Sequence, residues 1–218
     1  MTYRAVLFDL DGTLLDTVED IADSANAALR QLGFPEHPVE PYKYYVGDGV
    51  ENLVRRALPE DRRDPATMAE CAALVRTEYG RRWADKTRPY DGIPDLLDAL
   101  AARRVPLAVL SNKPDEFTKL CVWRLLPRWR FDAVIGASPA LPRKPDPAGA
   151  LQIAGQLRLP PAAILYLGDT NTDMQTAVAA SMYPVGALWG FRTADELVAS
   201  GAQVLIEKPL DLLGILDA

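Results

Sequence analysis

Val6-Leu-Phe-Asp-Leu-Asp-Gly-Thr13 is a short apolar run that breaks off into two aspartates and a glycine. The run, which starts near Arg4, lacks apolar–polar alternation, as expected of a strand buried on both faces of a parallel sheet. Four later runs have the same character: Leu107-Ala-Val-Leu110, Ala133-Val-Ile135, Ile164-Leu-Tyr-Leu167 and residues 184–188. Segments at helical period fall around the later runs, over 94–104, 115–126, 147–159 and 172–181. Prolines at 94, 114 and 147 stand where a first helical turn would begin. The alternation of strand and helix predicts an α/β fold, a doubly wound, mainly parallel sheet of Rossmann-like type.

One stretch interrupts that alternation. Residues 17–88 hold no convincing strand, only helical patterns punctuated by Gly33, Pro35, Pro38, Pro41, Pro59 and Pro65. The first pattern spans 17–32, with Thr17 and Asp20 near capping-box spacing and apolar positions at Ile21, Ala25, Ala28, Leu29 and Leu32. A second spans 65–86. The parse is an α/β core of residues 1–16 and 89–218 with a helical insertion, 17–88, after the first strand.

Composition narrows the functional classes. A chain of 218 residues can bury a sizeable core without disulfides or a structural metal. Its net charge of −6 excludes a basic nucleic-acid footprint and disfavours anionic membrane surfaces. Neither a signal-peptide core nor a run of ~18 apolar residues is present, which points to a cytoplasmic protein. Cys71 and Cys121 lack metal-site spacing and read as core thiols.

Polar residues gather at the strand ends. Asp9 and Asp11 follow the first run, Ser111 and Asn112 the second, Lys144 the third after a loop, and Asp169 and Asp173 the fourth. Ligands of open α/β sheets bind beyond the carboxyl ends of the strands, so these residues converge on one crevice. Four carboxylates there repel one another, and Lys144 offsets one charge only. A hard divalent cation is required, and an all-oxygen shell completed by water and phosphate suits Mg²⁺. One carboxylate can attack phosphorus, and a second, two residues on, can move the proton of the leaving oxygen. Ser111, Asn112 and Lys144 would hold the phosphoryl oxygens.

The same residues carry a family resemblance. Phe8-Asp-Leu-Asp-Gly-Thr13 with Leu14-Leu-Asp-Thr17, then Leu110-Ser-Asn112, Arg143-Lys-Pro-Asp-Pro147 and Gly168-Asp-Thr-Asn-Thr-Asp173, resemble in order the four motifs of the haloacid dehalogenase-like hydrolases. The resemblance implies Asp9 as nucleophile forming an aspartyl-phosphate and Asp11 as general acid and base, with Ser111 and Lys144 completing the catalytic set. It implies Mg²⁺ on the Asp9 carboxylate, the Asp11 carbonyl and Asp169, with Asp173 in support, and Thr13 and Asn112 on the substrate. The insertion matches the family's small cap. Tyr45-Val-Gly-Asp-Gly49, Arg56-Ala-Leu58, Ser111-Asn-Lys-Pro114 and Leu188-Trp-Gly-Phe191 look like the phosphoglycolate phosphatase group. The substrate so implied is a small phosphorylated metabolite, 2-phosphoglycolate, handled by a monomer or homodimer. Gly47, Gly49 and Arg56 would bind its carboxylate. A phosphomutase or pyrophosphatase on the same core, or a phospho-acceptor module, are the rival expectations.

Plainer readings stand beside these. Asp9 and Asp11 could end a strand and open a turn, Lys144 could be solvated in its loop, and Asp173 could be a first-turn acid of the helix 172–181. His37 reads as a surface residue, and Arg55-Arg56 and Arg81-Arg82 as solvated faces.

Overall fold

The computed structural model describes residues 3–216. Residues 1–2 and 217–218 of the expected core lie outside the described residues. The chain divides into two compact units, Met1–Leu15 with Pro89–Ala218, and Asp16–Arg88.

The chain enters the first unit with β1 (Ala5–Phe8) and leaves it through β2 (Leu15–Asp16). The second unit carries α1 (Val18–Gln31), α2 (Tyr42–Tyr45), α3 (Val50–Ala57) and α4 (Pro65–Arg82). The chain returns through β3 (Arg88–Pro89), which pairs with β2 in a separate two-stranded sheet. Then follow α5 (Ile93–Ala102), β4 (Leu107–Pro114), α6 (Asp115–Leu125), β5 (Ala133–Ala137), α7 (Ala148–Leu157) and β6 (Ile164–Gly168). The chain continues with α8 (Asn171–Ala179), β7 (Tyr183–Ala187), α9 (Ala194–Ala199), β8 (Val204–Ile206) and α10 (Leu212–Leu216).

The six-stranded sheet runs β5-β4-β1-β6-β7-β8, and every pairing in it is parallel. The fold is the expected doubly wound α/β sheet. Its central strand is β1, whose four residues are all buried, so both parities are covered. Ala5 and Leu7 join Ala108, Leu110, Ile164 and Tyr166 in a cluster closed by Ala150, Ile153 and Ala154 of α7 and Ala177 of α8. That double coverage is the physical reason why these strands show no alternation in sequence. Phe8 is in register with Val109 on one side and Leu167 on the other. The residues immediately beyond those three positions therefore emerge side by side.

Three local expectations are corrected. The second run does not stop at Leu110: β4 continues to Pro114 through a register irregularity, so Ser111–Lys113 lie in the strand. The capping box at Thr17 does not form. The Thr17 hydroxyl makes no capping bond, and Asp20 turns instead to the far end of the insertion. There its carboxylate accepts from the amides of Lys86 (3.0 and 3.1 Å) and Thr87 (2.8 Å) and from the Thr87 hydroxyl (2.7 Å). Finally, β8 was not anticipated; its three residues are too short to stand out.

Within the helical unit, α1 packs on α4 and α3 on α4. His37 is half-buried rather than on the surface. Its backbone exchanges hydrogen bonds with the Asn26 amide (2.8 and 2.9 Å), and its Nε2 donates to the Ala57 carbonyl at 2.8 Å. Its ring also meets Tyr42 and Tyr45 edge-on. Arg81 and Arg82 both bind the buried Glu78 carboxylate, so they too have a structural task. Cys71 and Cys121 are buried free thiols, as expected.

Candidate active site

The carboxyl ends of β1, β4 and β6 build the site. Asp9 follows β1 directly, and its amide donates to the Leu167 carbonyl at 2.9 Å, extending the ladder by one step. The next residues turn sharply: the amides of Thr13, Leu14 and Leu15 all reach back to the Leu10 carbonyl. Gly12 sits in this turn at φ +90°, and a Cβ there would lie 2.3 Å from an Asp169 oxygen. Only glycine satisfies both the backbone sign and the close approach.

Asp169 begins the loop after β6 and is fully buried. Its Oδ1 accepts from the Thr13 hydroxyl at 2.7 Å and its Oδ2 from the Phe191 amide at 2.9 Å. Gly190 packs so tightly that a Cβ there would stand 2.2 Å from the Asp169 Cβ. Trp189 closes the same corner by donating its indole N–H to the Thr13 carbonyl at 3.0 Å. Asp173 opens α8 in a capping box: Oδ2 accepts from the Thr170 amide (3.0 Å) and hydroxyl (2.6 Å). The first-turn reading of Asp173 and its place in the site thus hold together, because its other oxygen faces Lys144.

Lys144 is the hub. Its buried ammonium donates to Asp9 Oδ1 at 2.8 Å and to Asp173 Oδ1 at 2.6 Å. It is not solvated. Tyr166, inside β6, donates its hydroxyl to the same Asp173 oxygen at 3.3 Å. Asn112 positions Lys144 through the main chain, its amide group donating to the Lys144 carbonyl (3.0 Å) and accepting from the Lys144 amide (2.9 Å). The Asn112 side chain expected on the substrate therefore has a positioning contact, and so has Thr13. Ser111 is buried within the irregular last part of β4, where its hydroxyl accepts from the Lys113 amide at 3.2 Å.

A second lysine completes the set. Lys113 Nζ donates to both oxygens of Asp11, at 2.7 and 3.0 Å, with the Lys113 side chain 4% and the Asp11 side chain 11% exposed. Lys113 lies within the Ser111-Asn-Lys-Pro114 motif, but nothing in the sequence assigns it a role. The signal was available in part: Lys113 stands two residues beyond Ser111 at the end of the second apolar run, as Asp11 stands two residues beyond Asp9 at the end of the first. An apolar run hides Tyr166, and the Leu188–Phe191 motif gives no hint in sequence that it packs against Asp169 and Thr13.

The electrostatics follow from burial and proximity. Burial pushes the Asp9 carboxyl well above the usual range; Asp173 and Asp169 add to this and Lys144 opposes it. Asp169 is pushed up to about 7, chiefly by burial and then by Asp173. Burial works against the Lys144 ammonium, but Asp173 and Asp9 outweigh it and hold it well above the ordinary lysine range. Fully ionised, the four carboxylates would outweigh the two ammoniums by two negative charges, which one divalent cation would balance.

The residues fit such an ion. One oxygen from each of Asp9, Asp169 and Asp173 can be chosen so that all lie within 4.8 Å of one another. The donor set is hard and anionic, and each raised carboxyl marks an electrostatic cost that a cation would relieve. Asp169 and Asp173 each accept hydrogen bonds at both oxygens, which fixes the direction in which each carboxylate faces the cluster.

Gly47, Gly49 and Arg56 belong to the helical unit. Gly47 (φ +116°) and Gly49 (φ +89°) bracket a turn that opens α3. Arg56 ties this turn down, binding the Asp48 carboxylate and donating to the Tyr45 carbonyl at 3.1 Å.

Comparison with known proteins agrees with this geometry. A family model described as haloacid dehalogenase-like hydrolase matches residues 6–187. A phosphoglycolate phosphatase of Aquifex aeolicus is 31% identical over 214 residues, covering 98% of this chain and 97% of the relative. One from Nitrosospira multiformis is 34% identical over 198 residues, covering 86% and 84%. A crystal structure from Lactobacillus delbrueckii subsp. bulgaricus superposes with a TM-score of 0.93 at 31% identity over 99% of both chains. With the motifs assembled at the ends of the central strands and the match running nearly end to end, the chain is a hydrolase and belongs to the haloacid dehalogenase-like family.

Proposed function

We propose that the protein is a Mg²⁺-dependent phosphatase of small phosphomonoesters, with 2-phosphoglycolate as substrate, working through an aspartyl-phosphate on Asp9. The observation that carries this reading is the buried Asp9–Lys144–Asp173 chain beside Asp169. The Asp9 carboxylate attacks phosphorus as the bond to the ester oxygen breaks, and Asp11 delivers a proton to that oxygen. Asp11, now a carboxylate, accepts a proton from water as the water oxygen attacks phosphorus. The bond to Asp9 then breaks, giving inorganic phosphate and the free carboxylate. Lys144 works against the burial that raises the Asp9 carboxyl and offsets charge on the phosphoryl group, while the Ser111 hydroxyl donates to one of its oxygens. Mg²⁺, held by the Asp9 carboxylate, the Asp11 carbonyl and Asp169 with Asp173 in support, would supply charge neutralisation for the phosphate.

The substrate rests on the relatives' activity, and no helix among the described residues is long and apolar enough to cross a membrane. We assign the chemistry to the sheet unit and treat residues 17–88 as a cap-type insertion. Two buried free thiols accord with a cytoplasmic setting. The test is phosphate release from 2-phosphoglycolate with Mg²⁺ present and after EDTA. Release only with the metal is expected; undiminished release in EDTA overturns the mechanism.

A further inference from the structure

Lys113 is the one buried cation of the site that the phosphoryl-transfer steps leave unused. Its ammonium clasps both oxygens of Asp11, whereas Lys144 is engaged by Asp9 and Asp173. Under the proposed reaction Asp11 must come within hydrogen-bond reach of the leaving oxygen. Lys113 then stands one carboxyl group away from the leaving group. In glycolate that leaving group carries its own carboxylate, one carbon from the ester oxygen. An acid whose two oxygens are both held by an ammonium is also poorly placed to serve another atom. A substrate carboxylate offers the ammonium an alternative partner of the same charge and geometry. Arg56, the cation that sequence reading favoured for this task, is tied to Asp48 and the Tyr45 carbonyl.

We propose that Lys113 is the specificity-determining cation for the leaving group: its ammonium passes from the Asp11 carboxylate to the carboxylate of the bound phosphomonoester, and Asp11 is thereby freed to take up a proton from water and deliver it to the ester oxygen. Recognition of the organic anion and release of the proton-transfer group become one event. An alkyl phosphate without a carboxylate leaves the clasp closed. The proposal rests on the phosphatase reading above, with Asp11 as the proton carrier.

The experiment compares kcat/KM for 2-phosphoglycolate and ethyl phosphate in the wild type, Lys113→Met and Lys113→Arg. The ratio is internal to each variant, so it does not depend on the fraction folded. The wild type should prefer 2-phosphoglycolate, Lys113→Met should lose about 10–100-fold of that preference, and Lys113→Arg should keep part of it. Binding gives a second readout that needs no turnover. In an Asp9→Asn background, adding Lys113→Met should weaken 2-phosphoglycolate about 10-fold or more by calorimetry and change ethyl phosphate far less. A preference or an affinity that survives Lys113→Met overturns the assignment. A wild type with metal-dependent turnover of p-nitrophenyl phosphate but no preference for 2-phosphoglycolate overturns the substrate and the Lys113 role together. A wild type with no metal-dependent phosphate release overturns the phosphatase reading itself.

Discussion

Asp169 holds a proton to about pH 7 because it is buried and because Asp173 lies beside it. A bound cation must displace that proton. Mg²⁺ affinity should therefore fall about tenfold for each pH unit below 7 and level off above it, which calorimetry between pH 5.5 and 8.5 would measure. Metal-free protein should respond in the opposite sense. An unfolded chain loses this proton near the ordinary aspartate range while the folded chain keeps it, so stability falls as pH rises from about 4 to about 7. Thermal melts in EDTA across that window should show the decline, and Mg²⁺ should remove most of it. Asp9 gives the sharpest single substitution. Asp9→Asn preserves size but loses the attacking oxygen, and kcat should drop at least ~10³-fold. Residual activity above a tenth of wild type would contradict its role as nucleophile.

At the scale of elements, the site depends on how tightly loops approach one another. Gly190 follows β7 and presses on Asp169, leaving no room for even a methyl group. Gly190→Ala should push Asp169 off its bonds to Thr13 and Phe191, weakening Mg²⁺ binding ~10-fold or more while far-ultraviolet circular dichroism stays unchanged. Asp20 plays the corresponding part in the helical unit. Its carboxylate satisfies three donors of Lys86 and Thr87 from the first turn of α1. Asp20→Ala leaves those donors, the two of Thr87 buried, without this partner and should cost about 2–4 kcal/mol, read as a lowered Tm. Sequence periodicity could not show this contact. Thr17 and Asp20 have the spacing of a local cap, but the three-dimensional neighbour, 66 and 67 residues away, outcompetes it. The same holds for Lys113, whose partner Asp11 is 102 residues distant. Local patterns expose strands such as β1 and helices such as α6 because burial and capping act on adjacent residues. They expose Asp9 and Asp169 as candidates because each stands just beyond an apolar run, and Lys144 because a short loop carries it from another such run. Which carboxylate meets which lysine is set by the register of Phe8 with Val109 and Leu167, and register across a parallel sheet leaves no mark within one strand.

For the whole molecule, the order β5-β4-β1-β6-β7-β8 gathers a site from residues scattered along most of the chain. Thr13 and Asp169, in direct contact, are 156 residues apart. The same order has a consequence for synthesis on the ribosome. The central strand is the first to emerge, and both of its partners come much later. At ~5–20 residues per second, β1 would wait roughly 8–30 s for the segment that bears Asp169. β4 reaches one edge of β1 after only about 100 residues and Lys144 follows, but until β6 arrives the other edge has no native ladder to join and the acidic pair behind it has no Asp169. A nascent chain released before β6 should therefore be insoluble rather than partly active, and chaperone demand should fall only once the residues around Phe191 have left the exit tunnel.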